Sequence, residues 1–351
     1  MKKNLIPLAT IALTVSILAS CGTTTSNKID CFIYQFSDTY IGTVRTALNT
    51  DLTAKGYTPT FYDAAAVQQT QTQQIETVLA SGTNIMLVNA VEQTAIGTTI
   101  SDKAKTAKVP VIYFNREVDD SAVTAANYPD ACFVGTDPDQ AGYMQGDILA
   151  GALITSDNKL SSTWDRNGDG KINYVMIRAD ESNAEANGRT TYSVQECNTK
   201  LTAAGLSSLH QLGSDVNASW SKDTAKTTMD TFISTYGLTG ANGIECVIAN
   251  NDDMALGAIA SLQTANFNKG GTDNVLVVGV DATSAAVSAI DSGYMYGTVK
   301  QDAAAMATCI TELAANKLSG KDYLDGTSYS WEDTTSAVHK IRIPYSSYTK
   351  A

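Results

Sequence analysis

The run Asp165-Arg166-Asn167-Gly168-Asp169-Gly170-Lys171-Ile172-Asn173 carries oxygen-bearing side chains at the first, third, fifth and ninth places of a loop. Gly170 stands at the sixth place, where such a loop turns sharply, and Lys171 at the seventh need offer only its backbone carbonyl. Oxygen ligands at this spacing suit a hard cation, and calcium is the ion that tolerates the flexible geometry of a loop. The carboxylate expected at the twelfth place is missing, because Met176 stands there, and the following residues read as a strand rather than the exit helix of an EF-hand. Glu245 is the candidate replacement: it is an acid at the start of an apolar run, where an unpaired charge would be costly. The spacing therefore predicts a structural calcium site built from Asp165, Asn167, Asp169, the Lys171 carbonyl, Asn173 and Glu245. The competing reading is a solvated Asp/Asn/Gly turn.

A second set of polar residues closes a series of apolar runs. These are Gln35 to Tyr40, with Asp38 among them, then Asn89, Asn250 to Asp253, Asp281, and Gln301-Asp302. Single Asp and Asn residues at such positions commonly cap helices, and capping is the role expected for Asp252, Asp253 and Asp302. Five such ends rich in planar Asp, Asn and Gln fit a polyhydroxylated ligand, and they lack the basic residues that a phosphate would need. No G-x-S-x-G, Walker-A string or H-E-x-x-H occurs, and two His leave little for a triad or a His-rich metal site. A formal charge of −12 argues against nucleic acid as a partner, because contact with phosphate backbones needs clustered Lys and Arg.

These residues must be positioned by something. Ten short β-rich runs alternate with helical patterns: Asp30–Phe36, Thr58–Tyr62, Asn84–Ala90, Val109–Asn115, Cys132–Gly135, Ile172–Ala179, Leu206–Leu212, Glu245–Asn250, Val275–Val280 and Tyr296–Lys300. Gln68–Ala80, Ala141–Ile154 and Thr190–Ala204 carry apolar residues at helical spacing. Strand–helix alternation predicts βαβ units, and runs such as NVLVVGV predict parallel strands buried on both faces. So many strands fit two doubly wound lobes, and in such sheets ligands sit beyond the carboxyl ends of the strands.

Met1 to Ser20 has the basic start, apolar middle and small-residue end of a secretory signal. Leu18-Ala19-Ser20-Cys21 resembles a lipobox, which would make Cys21 the lipidated first residue of the mature chain, with residues 21–28 as a tether. That places the protein outside the cytoplasm, anchored to a membrane. The remaining cysteines, Cys31, Cys132, Cys197, Cys246 and Cys309, lie in apolar runs with no C-x-x-C, and are expected to be buried thiols.

From about Ile29 to Tyr345 the chain resembles the bacterial galactose/glucose-binding proteins, sugar receptors of the type I periplasmic binding-protein fold. IYQFSDTY, VPVIYFNRE, FVGTD, DRNGDGKIN, AEANGRTTY, ECVIANNDDMALGA, VVGVDA and GTVKQD carry the resemblance. It implies an α/β protein of two doubly wound parallel-sheet lobes joined by a three-segment hinge, which closes on one monosaccharide without catalysis. It further implies delivery to an ABC transporter permease, signalling to a chemoreceptor, and action as a monomer. Ligand residues carry over with identity at Asp38, Asn89, Arg189, Trp220, Asn251 and Asp281. Tyr40 stands for the family's Phe, Asn183 for its His, Glu185 for its Asp and Gln301 for its Asn, while Asn173 replaces a longer Gln in the calcium loop. Trp220 and Tyr40 are expected to cover the two faces of a sugar ring, with Trp164 and Trp331 structural. The hinge is expected near Val109–Pro110, Lys300–Gln301 and His339–Arg342, giving one lobe of residues 29–109 plus 301–340 and another of 110–300 plus 341–351.

Three other functions share features with this pattern. One is the same fold binding a pentose or a signalling furanose. A sugar-responsive repressor would need a basic helix-turn-helix head where this chain has a signal sequence. A secreted glycosidase would use a carboxylate pair, for which Asp38 and Asp281 are the candidates.

Overall fold

The computed structural model describes residues 27–350, except 95 and 336, so Cys21 and the signal sequence lie outside the described residues. The first lobe begins with β1 (Lys28–Ile33), α1 (Thr39–Ala54), β2 (Thr58–Asp63), α2 (Gln68–Ser81), β3 (Met86–Val88), α3 (Ile96–Ala107), β4 (Val111–Phe114) and β5 (Ala131–Gly135). The second contains α4 (Pro138–Leu153), β6 (Asn173–Arg178), α5 (Ala184–Ala203), β7 (His210–Gln211), β8 (Val216–Asn217), α6 (Lys222–Tyr236) and β9 (Cys246–Ala249). It continues through α7 (Asp252–Thr264), β10 (Leu276–Asp281), α8 (Ser284–Asp291) and β11 (Gly297–Lys300). The chain then returns to the first lobe with α9 (Ala303–Leu318) and β12 (Lys340–Arg342), and ends in the second with β13 (Ser346–Thr349).

The two sheets run β12-β5-β4-β3-β1-β2 and β13-β11-β10-β9-β6-β7, with β8 also pairing β6. All pairings are parallel except β11 with β13. The central strands are apolar on both faces because helices cover both: β4 and β9 are buried throughout. In the first lobe one core layer packs α1 and α9 on the sheet through Val44, Leu48, Met306 and Ile310. The opposite layer packs α2 and α3 through Ile75, Val78 and Ile100. The five described cysteines are buried and free, as expected of small apolar residues.

The expected lobe boundary at Val109–Pro110 is corrected. β4 pairs with β3 and β5 with β4, so the first lobe runs on to Gly135 and the chain crosses at Thr136–Asp137. Pro110 instead ends a tight turn at the far pole of the sheet, where Lys108 takes a left-handed φ of 58°. The second crossing does fall at Gln301, because α9 packs on the first core. The third lies between Arg342 and Ser346, a few residues later than expected, because β12 still belongs to the first sheet. The strand expected over Leu206–Leu212 shrinks to the two residues of β7, which sits at a sheet edge.

Candidate functional site

The carboxyl ends of β1, β4, β9, β10 and β11 meet across a cleft between the lobes, which holds a small cavity partly open to solvent. Asp38, Tyr40, Asn183, Glu185 and Arg189 line it, as do Trp220, Asn251, Asp281 and Gln301. Nine of the ten expected ligand residues are thus brought together from segments far apart in sequence. The tenth, Asn89, is a correction. Its side chain is fully buried behind the cavity, accepting from the Tyr34 N–H (3.3 Å) and donating to the Phe114 carbonyl (3.1 Å) and Asn115 Oδ1 (3.2 Å). It ties β1 to the end of β4 and orients Asn115.

Tyr34, Ile41, Asn115 and Arg116 line the cavity without having been anticipated. A signal existed for two of them: Asn115-Arg116 follows an apolar run, as the other cleft residues do, within the segment VPVIYFNRE. Arg116 lies over the Tyr34 ring at 4.5 Å and spends its Nε and Nη2 donors on the carbonyls of Ala90 and Val91.

Helix starts position three of the side chains. Asp38, Asn183 and Asn251 are the N-caps of α1, α5 and α7, each accepting through Oδ1 from the backbone three residues on, at 2.8, 2.8 and 2.9 Å. Capping locks each head at the cleft and points three helix N-termini toward it. Tyr34 donates a short bond of 2.5 Å to the other Asp38 oxygen. Backbone strain accompanies the site: Asn115, Trp220 and Asp281 have φ of 61°, 60° and 123°, each costing about 1–3 kcal/mol in a non-glycine residue.

The electrostatics are those of a buried, acid-rich cleft. Burial raises Asp38, Glu185 and Asp281 above the ordinary carboxylate range, most strongly Asp281, against which the nearby Arg189 works in the other direction. Arg189 is buried, at 3% exposed. Its guanidinium donates to the Asn250 carbonyl (2.9 Å), Gln301 Oε1 (3.3 Å) and the Tyr345 hydroxyl (3.1 Å), and stands 4.0 Å from Asp281. Burial works against its charge, but Tyr345 and Asp281 outweigh burial and raise its pKa. Trp220 lies under it at 5.7 Å.

Four polar atoms on this lining are buried with no protein partner: Arg189 Nε, Gln301 Nε2, Glu185 Oε1 and Trp220 Nε1. Leaving such a group unpaired costs about 1–3 kcal/mol. Three donors and one acceptor on residues of this lining are therefore left unpaired.

Of the three expected caps, only Asp302 is one, accepting from the Ala305 N–H at 3.0 Å. Asp252 follows the true cap, Asn251, and is wholly buried, accepting from Thr298 Oγ1 (2.6 Å) and the Thr283 N–H (2.7 Å). Asp253 reaches across the cleft to accept from Thr39 Oγ1 at 2.6 Å. Gln93 of the first lobe likewise donates to Glu185 of the second, at 3.3 Å. Trp164 and Trp331 pack away from the cleft, edge-on to Tyr296 and stacked on His339.

The Asp165–Asn173 loop curls at the far side of the second lobe. Glu245 reaches it as expected, accepting through Oε1 from the N–H groups of Arg166 (2.8 Å) and Asn167 (3.2 Å) and through Oε2 from that of Asn173 (3.0 Å). Asp165, Asn167 and Asp169 accept from backbone N–H groups within the loop. The second oxygen of Asp165 is buried without a partner, which fits an ion at the loop's centre. Asn173 does not fit. Its Oδ1 meets His210 Nδ1 at 2.8 Å and its Nδ2 donates to the carbonyls of Ala241 and Gly243, so the amide is already satisfied. Among the described residues no group of three or more His, Cys, Asp and Glu stands ready as a metal cluster.

A model of the periplasmic binding protein domain matches residues 29–322. The chain is 31% identical over 347 residues to the D-galactose/methyl-galactoside binding periplasmic protein MglB of Haemophilus influenzae, covering 98% of this chain and 96% of that one. The chain belongs to the periplasmic binding protein family. The fold agrees: an ABC transporter solute binding protein of Bacillus halodurans with bound myo-inositol superposes with a TM-score of 0.71 at 22% identity, covering 93% of this chain and 96% of that one. A Clostridium phytofermentans solute binding protein with bound β-D-glucose gives 0.70 at 18%, covering 92% and 94%. The cleft between the two lobes is lined by nine of the ten residues named from sequence.

Proposed function

We propose that this protein captures a neutral monosaccharide, glucose or galactose before others, in the interlobe cleft and hands it to an ABC transporter permease. The observation that carries this reading is the set of unpartnered atoms on Arg189, Gln301, Glu185 and Trp220 around one cavity. Sugar hydroxyls both donate and accept, so one ring can satisfy three donors and an acceptor together. Trp220 on one side and Tyr40 on the other supply apolar faces for the ring. The full-length likeness to a galactoside-binding protein supports the choice of sugar. The protein works outside the cytoplasm as a monomer held by lipid at Cys21, and its closed, loaded form is what a permease or a chemoreceptor would read. The Asp165–Asp169 loop holds structural calcium through Asp165, Asn167, Asp169, the Lys171 carbonyl and Glu245.

Calorimetry on protein freed of copurified ligand by unfolding and refolding tests the assignment. The panel holds glucose, galactose, ribose, arabinose, myo-inositol and glucuronate. Glucose or galactose should bind in the micromolar range with a change in Trp220 fluorescence, and glucuronate should not, since it brings charge to an acid-rich cleft. No binding by any neutral member overturns the proposal, and a pentose at the head of the series overturns the choice of hexose. Nitrophenyl glycosides should pass through unhydrolysed; turnover lost in Asp38→Asn would instead support the carboxylate-pair enzyme.

A further inference from the structure

Three chain segments cross between the lobes, and one cluster of side chains joins all three to the cleft. Thr136 lies on the first crossing, Gln301 on the second and Tyr345 on the third. The Tyr345 hydroxyl is 2.8 Å from Thr136 Oγ1 and 3.1 Å from Arg189 Nη2, and that same nitrogen donates to Gln301 Oε1. Thr136 is fully buried, and Tyr345, at 7% exposed, packs in the core of the second lobe. Its backbone N–H is held by Gln140 Oε1 of α4 at 3.3 Å.

We infer that Tyr345 is a positioning residue that couples ligand capture to lobe closure, by holding the Arg189 guanidinium against all three crossings. This rests on the ligand-binding reading of the cleft. Arg189 cannot accept a hydrogen bond, so the phenol oxygen must accept from it, and the phenol proton is then free to go to Thr136. Burial raises the Tyr345 pKa, which keeps that proton in place at neutral pH. The direction Arg189 to Tyr345 to Thr136 gives the phenol proton an acceptor. Arg189 lines the cavity, and its Nε is buried without a protein partner. Any opening that moves Thr136 or Gln301 relative to the second lobe must break a bond to this cluster and loosen the Arg189 head. A ligand that engages Nε favours the unbroken cluster and with it the closed arrangement, which is the differential affinity that closure requires.

The test compares wild type, Tyr345→Phe and Thr136→Val. The first variant keeps the ring and removes the acceptor for Arg189; the second leaves the Arg189–Tyr345 bond and removes only its far anchor. Three quantities are read: sugar affinity with its dissociation rate, lobe separation by a dye pair with and without sugar, and the ligand-free melting temperature. Tyr345→Phe should weaken binding by about tenfold or more, chiefly through faster dissociation, and should leave the lobes less fully closed at saturating sugar. Thr136→Val should shift closure the same way with a smaller loss of affinity. A lower melting temperature in Tyr345→Phe with unchanged affinity and unchanged lobe separation would mean a purely structural role and overturn the inference. If wild type binds no sugar, the ligand-binding reading fails, and the inference is still read on the ligand-free proteins: Tyr345→Phe must open the lobe distribution relative to wild type, and an identical distribution overturns it.

Discussion

Several side chains that line the cleft also cap a helix. Asp38, Asn183 and Asn251 each spend one oxygen on a helix N-terminus, which fixes the head without a long buttress. Asp252, one residue past the last of these caps, shows the cost of the arrangement. Burial pushes it up to about 7, against the bonds from Thr298 and Thr283 that favour the carboxylate. An acid raised in the folded state binds a proton there that the unfolded chain has already released, so stability falls as pH rises between about 4 and about 7. Asp252→Asn cannot ionise. Its melting temperature should therefore gain on wild type as pH climbs through that window, in a thermal scan series; a constant difference would refute the buried-acid account. Glu117 acts with the opposite sign, because Arg342 and Lys340 outweigh its burial and lower it, but subtracting the variant from wild type removes its effect. Asp38, Tyr40, Asn251, Asp281 and Gln301 were legible as polar residues at strand ends, whereas Asn183, Glu185, Arg189 and Trp220 were reached only through the resemblance. Asn89 shows the limit: residue type and position matched, yet its amide is buried and already bonded to Phe114 and Asn115 one strand away. Asn115 and Arg116 were missed although the same strand-end rule reached them.

At the scale of elements, what could be read was what burial writes into composition. β4, β9 and β10 are continuous apolar runs because helices cover both faces. β7 and β8 have two residues each, and β13 reads SSYT, so these edges carry no apolar signal. The lobe boundary was misplaced for a related reason. Pro110 is strong local punctuation, whereas the real crossing is the two-residue link Thr136–Asp137, no different in sequence from an ordinary βα loop. At the Asp165–Asn173 loop, proposed above to hold calcium, Glu245 reaches the place expected of it, whereas the Asn173 amide is already satisfied. Glu245 already gathers three backbone N–H groups and joins β9 to the loop before β6. An ion bound there should stabilise the second lobe by mass action. Adding calcium to chelated protein should raise the melting temperature by several degrees, and Glu245→Gln should abolish most of the rise. Equal melting curves with chelator and with calcium would leave Asp165–Asn173 as a turn.

For the molecule as a whole, the consequential feature is that the lobes touch through their own residues. Thr39 of α1 bonds Asp253 of α7, and Gln93 bonds Glu185, so part of the closing free energy is independent of ligand. On the proposed capture by lobe closure, apparent affinity is set by how often the unliganded protein visits the closed form. Asp253 is the cleaner probe, because Glu185 itself lines the cavity and Asp253 does not. Asp253→Ala removes one partly exposed bond to a charged acceptor, on the order of 1 kcal/mol, which corresponds to a several-fold shift toward open lobes. Small-angle scattering should show a larger radius of gyration for the ligand-free variant and an unchanged one at saturating sugar. The apparent dissociation constant should rise by the same several-fold factor. Affinity lost without any opening would instead place Asp253 in direct contact with the ligand, and opening without loss of affinity would mean that closure is not the binding-competent state.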